Sequence, residues 1–227
     1  MNETRIESFE DFYAEVQKYD SSLVIYRGVK SANYELIPKI GRITPPPSCN
    51  STKTNEQEIM RLFKERALPY LSKAPRSEWE WLAYGQHYGL PTRLLDWTRN
   101  PLVALYFAVE EDGIDPKKYQ HSAIYIFDKK KYLPNYEDKD PYELNGVEKF
   151  IPPHISSRIT AQSSVFTIHP YPFEAFTSDD VTKIIFPIKI RSKLKKTLNK
   201  FGIHRASLFP SLDGLASHIQ WLRTKTS

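Results

Sequence analysis

Residues 81–109 read WLAYGQHYGLPTRLLDWTRNPLVALYFAV, and this stretch decides the fold. Just before it, Ser77 and Glu80 form a capping box, and Gly89 stands where a helix C-terminus favours glycine, so a helix is predicted over Ser77 to His87. Leu90-Pro91 turns the chain, and Thr92 to Trp97 suits a strand. Asn100 then caps, and Pro101 opens, a helix running through Val109. That helix is apolar all round, which predicts burial rather than an amphipathic surface position. A helix, a sharp turn, a strand and a buried helix therefore follow one another almost without spacer.

Working outward, Ser8 with Asp11 caps a helix to about Tyr19, in which Phe9, Tyr13 and Val16 recur at helical spacing after Ile6. Leu23 to Val29 reads as a buried strand, and Tyr34 to Ile40 as a shorter one interrupted by Pro38. Pro45 to Thr52 is a surface loop opened by three consecutive prolines. Asn55 caps a helix to about Leu68. In the second half, Ala123 to Asp128, Val165 to Ile168 and Ile184 to Ile190 are the best strand candidates. Arg191 to Phe201 is a short basic helix with Leu194, Leu198 and Phe201 on one face, and Leu212 to Arg223 is the last helix. Helices cluster in the first half and strands in the second, so the expected class is α+β. One domain is expected over residues 1–227, with a helical part at about 1–22 and a core at about 23–222.

Length and composition exclude several functions. A chain of 227 residues has ample core for one large domain. Its single cysteine, Cys49, makes neither an internal disulfide nor a cysteine-rich zinc site. The sequence contains neither GxxxxGK[ST] nor GxGxxG. Six histidines show no HxH or HExxH spacing and no GxSxG elbow occurs, so neither a metal site nor a Ser-His-Asp hydrolase is predicted. The charged start and the lack of a long apolar run predict no signal peptide and no membrane span, and a cytoplasmic protein.

The net charge of +5 is unevenly placed. Between Val181 and Leu212 lie eight Lys/Arg and no Asp or Glu, while 24 basic residues face 27 acidic ones outside that segment. Within it, Arg191, Lys193, Lys195, Lys196 and Lys200 form a candidate nucleic-acid-binding surface. The alternative is an ordinary solvated face.

In the opening stretch, Gln86, His87, Arg93, Asp96, Thr98 and Arg99 are polar among strongly apolar neighbours. Buried polar groups need partners. Either they satisfy one another, with Asp96 paired to Arg93 and His87 bonded to backbone, or they face a ligand.

The same stretch, with Tyr26-Arg27-Gly28 upstream, resembles the FRG domain family. The resemblance is carried by YRG, by the block QHYGLPTRLLDWTRNPLVALYFA, by Arg158-Ile159-Thr160-Ala161-Gln162 followed by Phe166-Thr167, and by LFPSLDGL at residues 208–215. It spans about residues 20–222 and leaves activity unassigned. A more distant resemblance is to ADP-ribosyltransferases, through the order of three elements. These are Arg27 on a first strand, Asp96-Trp97-Thr98 on a second strand running into a helix, and Gln162 leading into a third. It implies a mixed or antiparallel split sheet flanked by helices, with NAD as substrate. Those enzymes place a glutamate two residues after the glutamine, where this chain has Ser164.

On that resemblance Arg27, Gln162, Asp96 and Asp213 are candidate catalytic residues. Tyr26, Arg27, Gly28, His87, Arg93 and Thr98 are candidate NAD-binding residues. A guanidinium binds phosphate oxygens bidentately. Gly28 would let the ligand approach the backbone, and a carboxylate would stabilise the ribose cation. Tyr26, Tyr84 and Tyr88 are candidates for ring stacking. Asp213 also suits the N-terminus of the last helix, where the dipole favours an acid. The implied function is an ADP-ribosyltransferase effector of toxin or phage-defence type, acting on a nucleic acid or nucleotide, with an antitoxin or defence-system partner. The alternatives are a non-catalytic nucleotide- or nucleic-acid-binding module and a nuclease using His87, Arg93 and Asp96.

Overall fold

Seven short strands, drawn from the whole length of the chain, share one sheet. The computed structural model describes residues 1–71, 73–111, 115, 117–129, 131–151 and 160–224. The strands are β1 (Asn2–Arg5), β2 (Ile25–Val29), β3 (Leu94–Thr98), β4 (His121–Phe127), β5 (Glu148–Phe150), β6 (Ser164–Ile168) and β7 (Val181–Pro187). Their order is β1-β7-β4-β2-β3-β6-β5. Only β1 runs parallel to its neighbour, β7; the other pairs are antiparallel. Among the described residues the helices are α1 (Phe9–Val16), α2 (Thr52–Ala67), α3 (Glu78–His87), α4 (Pro101–Val109), α5 (Arg191–Lys200), α6 (Arg205–Leu208) and α7 (Leu212–Arg223). The class is mixed α+β.

The sheet is nearly divided in its middle. β2 meets β4 along five residue pairs but meets β3 at one, Tyr26 with Thr98. Side chains alternate along a strand, so Tyr26, Ile124, Ile126, Ile184, Leu94, Thr98 and Ile168 share one face. On that face lie two cores, side by side. Helices α1, α4 and α5 cover the β7-β4-β2 half with Phe12, Val103 to Tyr106, Leu194 and Leu198. Helices α2 and α3 cover the β3-β6-β5 half with Met60, Trp79, Trp81 and Leu82. The opposite face carries a third cluster, built on Ile25, Leu95, Trp97, Tyr125, Phe127 and Val165. Between the two helical groups the sheet stays open above the β2–β3 seam.

The central stretch folds as its caps dictate. Ser77 Oγ accepts from the Glu80 amide, Gly89 has φ +86°, and Asn100 Oδ1 accepts from the Leu102 amide. α4 is buried, as its apolar sequence requires.

Other expectations are corrected. The N-terminal part is not purely helical, because Asn2–Arg5 forms the edge strand β1 before α1. Tyr34 to Ile40 is not a strand. Residues 34–38 cross the third cluster as a loop, held by Tyr125 Oη donating to the Tyr34 carbonyl at 2.6 Å and by the Phe176 amide donating to the Leu36 carbonyl at 3.1 Å, and Lys39–Arg42 forms a 3-10 turn. α2 starts three residues early because Ser51, not Asn55, accepts from the amide three residues on, leaving Asn55 buried inside the helix. The last strand ends at Pro187, and Ile188–Ile190 forms a 3-10 turn. Phe201 turns outward to stack on Phe9, centroids 5.6 Å apart. Strands are also not confined to the second half, since three of the seven precede Asn100.

Candidate functional site

The open seam forms a cleft of about 290 Å³. β2 supplies Tyr26, Arg27 and Gly28, and β3 supplies Asp96, Trp97 and Thr98. The end of α3 adds Gln86 and His87, α4 adds Phe107, and the lead into β6 adds Gln162, Ser164 and Phe166. The three elements are neighbours because β2, β3 and β6 are consecutive in the sheet.

Arg27 exists at this place because the strands part. Next to the single Tyr26–Thr98 pair, its guanidinium fills the opening and donates to the Asp96 carbonyl at 2.5 Å. The same Nη1 lies 3.8 Å from Asp96 Oδ2. Burial lowers the Arg27 pKa from its ordinary value, while Asp96 opposes the shift and Arg42 adds to it; a guanidinium stays cationic throughout.

Asp96 is fixed from the other side as well. Gln86 Nε2 donates to Asp96 Oδ2 at 2.7 Å, and Thr92 Oγ1 donates to Gln86 Oε1 at 2.6 Å. A chain of hydrogen bonds thus runs from Thr92 through Gln86 to the carboxylate beside Arg27. The sequence marked Gln86 as polar but gave it no role. Its partner is ten residues away across the Leu90-Pro91 turn, a distance that no local spacing encodes.

Thr98 and Gln162 form the inner end. The Thr98 hydroxyl donates to the Gln162 carbonyl at 2.7 Å and accepts from the Asn100 amide at 3.0 Å. Its proton and one lone pair are thereby engaged in holding the loop. Gln162 Nε2 donates to the Leu208 carbonyl at 3.1 Å. Between Gln162 and Ser164, Ser163 has φ +48°, a left-handed conformation that costs a non-glycine residue of order 1–3 kcal/mol. That kink lets the residues on both its sides line the cleft.

Several expected residues lie elsewhere. Arg93, just before β3, is buried at 1% exposure against α2, where its Nε donates to Glu56 Oε2 at 2.8 Å and its amide to Glu56 Oε1 at 2.6 Å. Its guanidinium stands 4.5 Å from the Tyr142 ring centroid. Burial raises the Glu56 pKa and Arg93 opposes that. Arg93 is therefore not at the cleft and does not pair with Asp96. Asp213 is exposed in the first turn of α7, the dipole-favoured position, away from the cleft. Tyr84 and Tyr88 stack on one another at 6.2 Å outside it.

Gly28 lines the cleft, but its reason is packing. A Cβ there would stand 1.8 Å from the Ala104 carbonyl oxygen of α4. The helix backbone, rather than a ligand, occupies the approach.

The basic segment divides in two. Arg191 is buried and donates to the carbonyls of Ala108 and Glu111 and to Ser122 Oγ; Lys195 Nζ donates to the Glu110 carbonyl at 2.7 Å. Both cations satisfy the C-terminal end of α4, where carbonyls lack helical partners and the dipole favours positive charge. They are not free for nucleic acid. Lys193, Lys196 and Lys200 remain exposed on the outer face of α5.

No group of three or more His, Cys, Asp or Glu among the described residues is placed to hold a metal ion. No helix among them is long and apolar enough to cross a membrane. Arg158 and Ile159 lie outside the described residues.

A model of the FRG domain family matches residues 22–116. That range runs from the lead into β2 past the end of α4 and includes every cleft residue except Gln162, Ser164 and Phe166. No curated protein and no solved structure matches the chain.

Proposed function

Starting from a chain that carries an FRG domain, we propose that the cleft binds a nucleotide through Arg27 and transfers the ADP-ribosyl group of NAD to a nucleic acid or nucleotide. The observation that carries the reading is the juxtaposition of Arg27 with Asp96 across the β2–β3 opening, with Gln162 and Ser164 on the adjoining wall. Arg27 offers a fork of donors to phosphate oxygens. At about 290 Å³ the cleft is near the low end of ligand-sized pockets, about 300–1,000 Å³. It suits the nicotinamide-ribose-phosphate half of the dinucleotide, with the adenosine half outside.

The reaction breaks the bond between ribose C1′ and the nicotinamide nitrogen, and nicotinamide leaves with the electron pair. Positive charge grows on the ribose as it does so, and the Asp96 carboxylate, held by Gln86, stands ready to stabilise it. An acceptor oxygen or nitrogen then bonds C1′ and releases its proton to solvent. Water in that place yields ADP-ribose. The toxin or defence-effector role, with an antitoxin or defence partner, is part of this reading, and exposed Lys193, Lys196 and Lys200 are its nucleic-acid contacts.

A second reading is nucleotide binding without turnover. It is favoured because Asp96 is the one carboxylate among the described residues lining the cleft, and it is already tied to Gln86 and Arg27. The nuclease reading loses its footing, because Arg93 is locked to Glu56 and does not join His87 and Asp96.

The test is to incubate the protein with adenylate-labelled NAD and RNA, DNA or free nucleotides, following nicotinamide release and label transfer. Arg27→Ala and Asp96→Asn should each reduce release by about a hundredfold or more. Calorimetric NAD binding with no release would select the second reading. Neither release nor binding by the wild type would overturn both.

A further inference from the structure

A second cavity, of about 230 Å³, is lined by residues of α4, α5 and α7 and by Ile203, His204 and Arg205 between α5 and α7. Its character comes from rings and cations. The imidazoles of His204 and His218 stack face to face, 3.9 Å between centroids and 7° from parallel, and Trp221 continues the stack at 6.0 Å. Lys195 Nζ stands 5.2 Å from the Trp221 centroid. Arg205 pairs with Glu110, the one carboxylate among the described residues on the walls.

Six side-chain polar atoms among the described residues are buried without a hydrogen-bond partner, and three of them are on side chains that line this cavity. They are Nε1 of Trp221, Nε of Arg205 and Oδ1 of Asn199. An unmet buried polar atom is destabilising, and each such atom in a folded protein calls for an explanation. Here two of the three are N–H donors, and the described walls also carry Lys195 and Arg205. The walls offer donors and positive charge, which suits an anion and repels a metal ion.

We propose that this cavity is a binding site for a small molecule bearing an oxyanion, a phosphate or carboxylate group received by the N–H groups of Arg205 and Trp221 in the field of Lys195. The orphaned atoms have almost no exposed surface in the closed arrangement, so a wall must move. α7 is suited to that: Gly214 is its one buried residue, and Leu212, Leu215, Ile219 and Leu222 are all exposed. A slight outward turn of α7 carries Trp221 and His218 with it and admits the ligand.

Binding should draw protons. Burial lowers the pKa of both imidazoles, and His218 is lowered further by His204 and Lys195. His204 also caps α6, its Nδ1 accepting from the Ser207 amide at 3.2 Å. An anion offsets Lys195 and Arg205, favours a protonated imidazole, and should therefore bind more tightly below the ordinary histidine pKa of about 6.5.

The site is tested without reference to the cleft's activity. Inorganic phosphate, acetate and benzoate are titrated separately into the full chain at fixed ionic strength, at pH 6 and pH 8. The Trp221 indole N–H resonance, assigned by its loss in Trp221→Phe, is the readout. A saturable shift with phosphate alone identifies a phosphate site, and one with acetate or benzoate a carboxylate site. Either should be tighter at pH 6. Asn199→Asp, isosteric and newly negative, should weaken binding by at least about tenfold, as should His218→Leu. Arg27→Ala should leave it unchanged, which separates this site from the nucleotide cleft. No saturable shift with any of the three anions overturns the proposal, as does a shift that survives both Asn199→Asp and His218→Leu.

Discussion

Replacing Gly28 with alanine adds one methyl group between β2 and α4 and tests why glycine follows Arg27. Positive φ is confined to Gly89 and Gly202 among the described glycines, so the backbone of Gly28 accepts alanine without strain. The whole cost is steric. The new carbon would stand 1.8 Å from the Ala104 oxygen and 2.8 Å from both the Ala104 carbon and the Ala108 nitrogen. Comfortable contact lies at about 3.5–4 Å, so α4 must withdraw by about 1.5 Å or more. A gap of even 0.5–1 Å forfeits about a quarter to a half of the dispersion attraction across it. α4 contributes Val103, Ala104, Leu105, Tyr106, Ala108 and Val109 to the core, all at 2% exposure or less. The expected loss exceeds about 3 kcal/mol, the upper end of ordinary overpacking, or a fall in Tm of more than about 6 °C. Urea unfolding followed by far-UV circular dichroism measures it. Gly85→Ala is the control, since its Cβ meets no backbone among its nearest atoms, only Met60 Cε at 3.1 Å and Leu90 Cδ1 and Cβ at 3.3 and 3.6 Å, and it should change stability by less than about 1 kcal/mol. A Gly28→Ala protein with a wild-type midpoint that fails only to bind nucleotide would refute the packing argument and restore close ligand approach as the reason for glycine.

Other outcomes follow from the same contacts. Glu56→Gln leaves the Arg93 guanidinium buried without its counter-charge and should cost about 3–5 kcal/mol in urea unfolding, whereas a cofactor-binding Arg93 would lose binding with stability intact. Arg191→Ala strands carbonyls at the end of α4 and should cost at least about 2 kcal/mol, while Lys193→Ala and Lys196→Ala should stay within about 0.5 kcal/mol. His169 accepts or donates a 2.8 Å hydrogen bond to Thr167, and burial, aided by Arg27, lowers its pKa from 6.5 to about 3. A depressed pKa means the neutral form is favoured on folding, so this stability is complete above about 6.5 and is lost as pH falls from there toward 3. Its ring-proton chemical shifts should stay fixed between pH 7 and pH 4 while the protein remains folded, and a titration midpoint near 6 would contradict the buried geometry.

Local rules were legible where caps and composition agree. Ser77, Asn100 and Pro101 announced α3 and α4, and the unbroken apolar run of α4 announced its burial, because capping and amphipathicity depend only on neighbours in sequence. Tyr34 to Ile40 looked like a strand since alternation is all a short window offers; whether an edge is free to pair is decided elsewhere. Asn2–Arg5 looked like nothing, being polar, since its partner, β7, is about 180 residues further along the chain. The basic segment read as one surface because charge can be counted without knowing direction, and only the packing of α5 against α4 turned Arg191 and Lys195 inward and left Lys193, Lys196 and Lys200 outside.

The sequence by itself determined the α+β class, the helix–turn–strand–helix stretch, and the candidates Arg27, His87, Asp96 and Gln162. What only the tertiary structure decided is which of its polar groups meet. Asp96 takes Arg27 and Gln86, Arg93 takes Glu56, and Gln162 reaches Leu208, pairings separated by 10 to 69 residues of chain. Partner choice among such groups depends on where strands part and helices end, and the parting of β2 from β3 after a single pair is a property of the whole sheet.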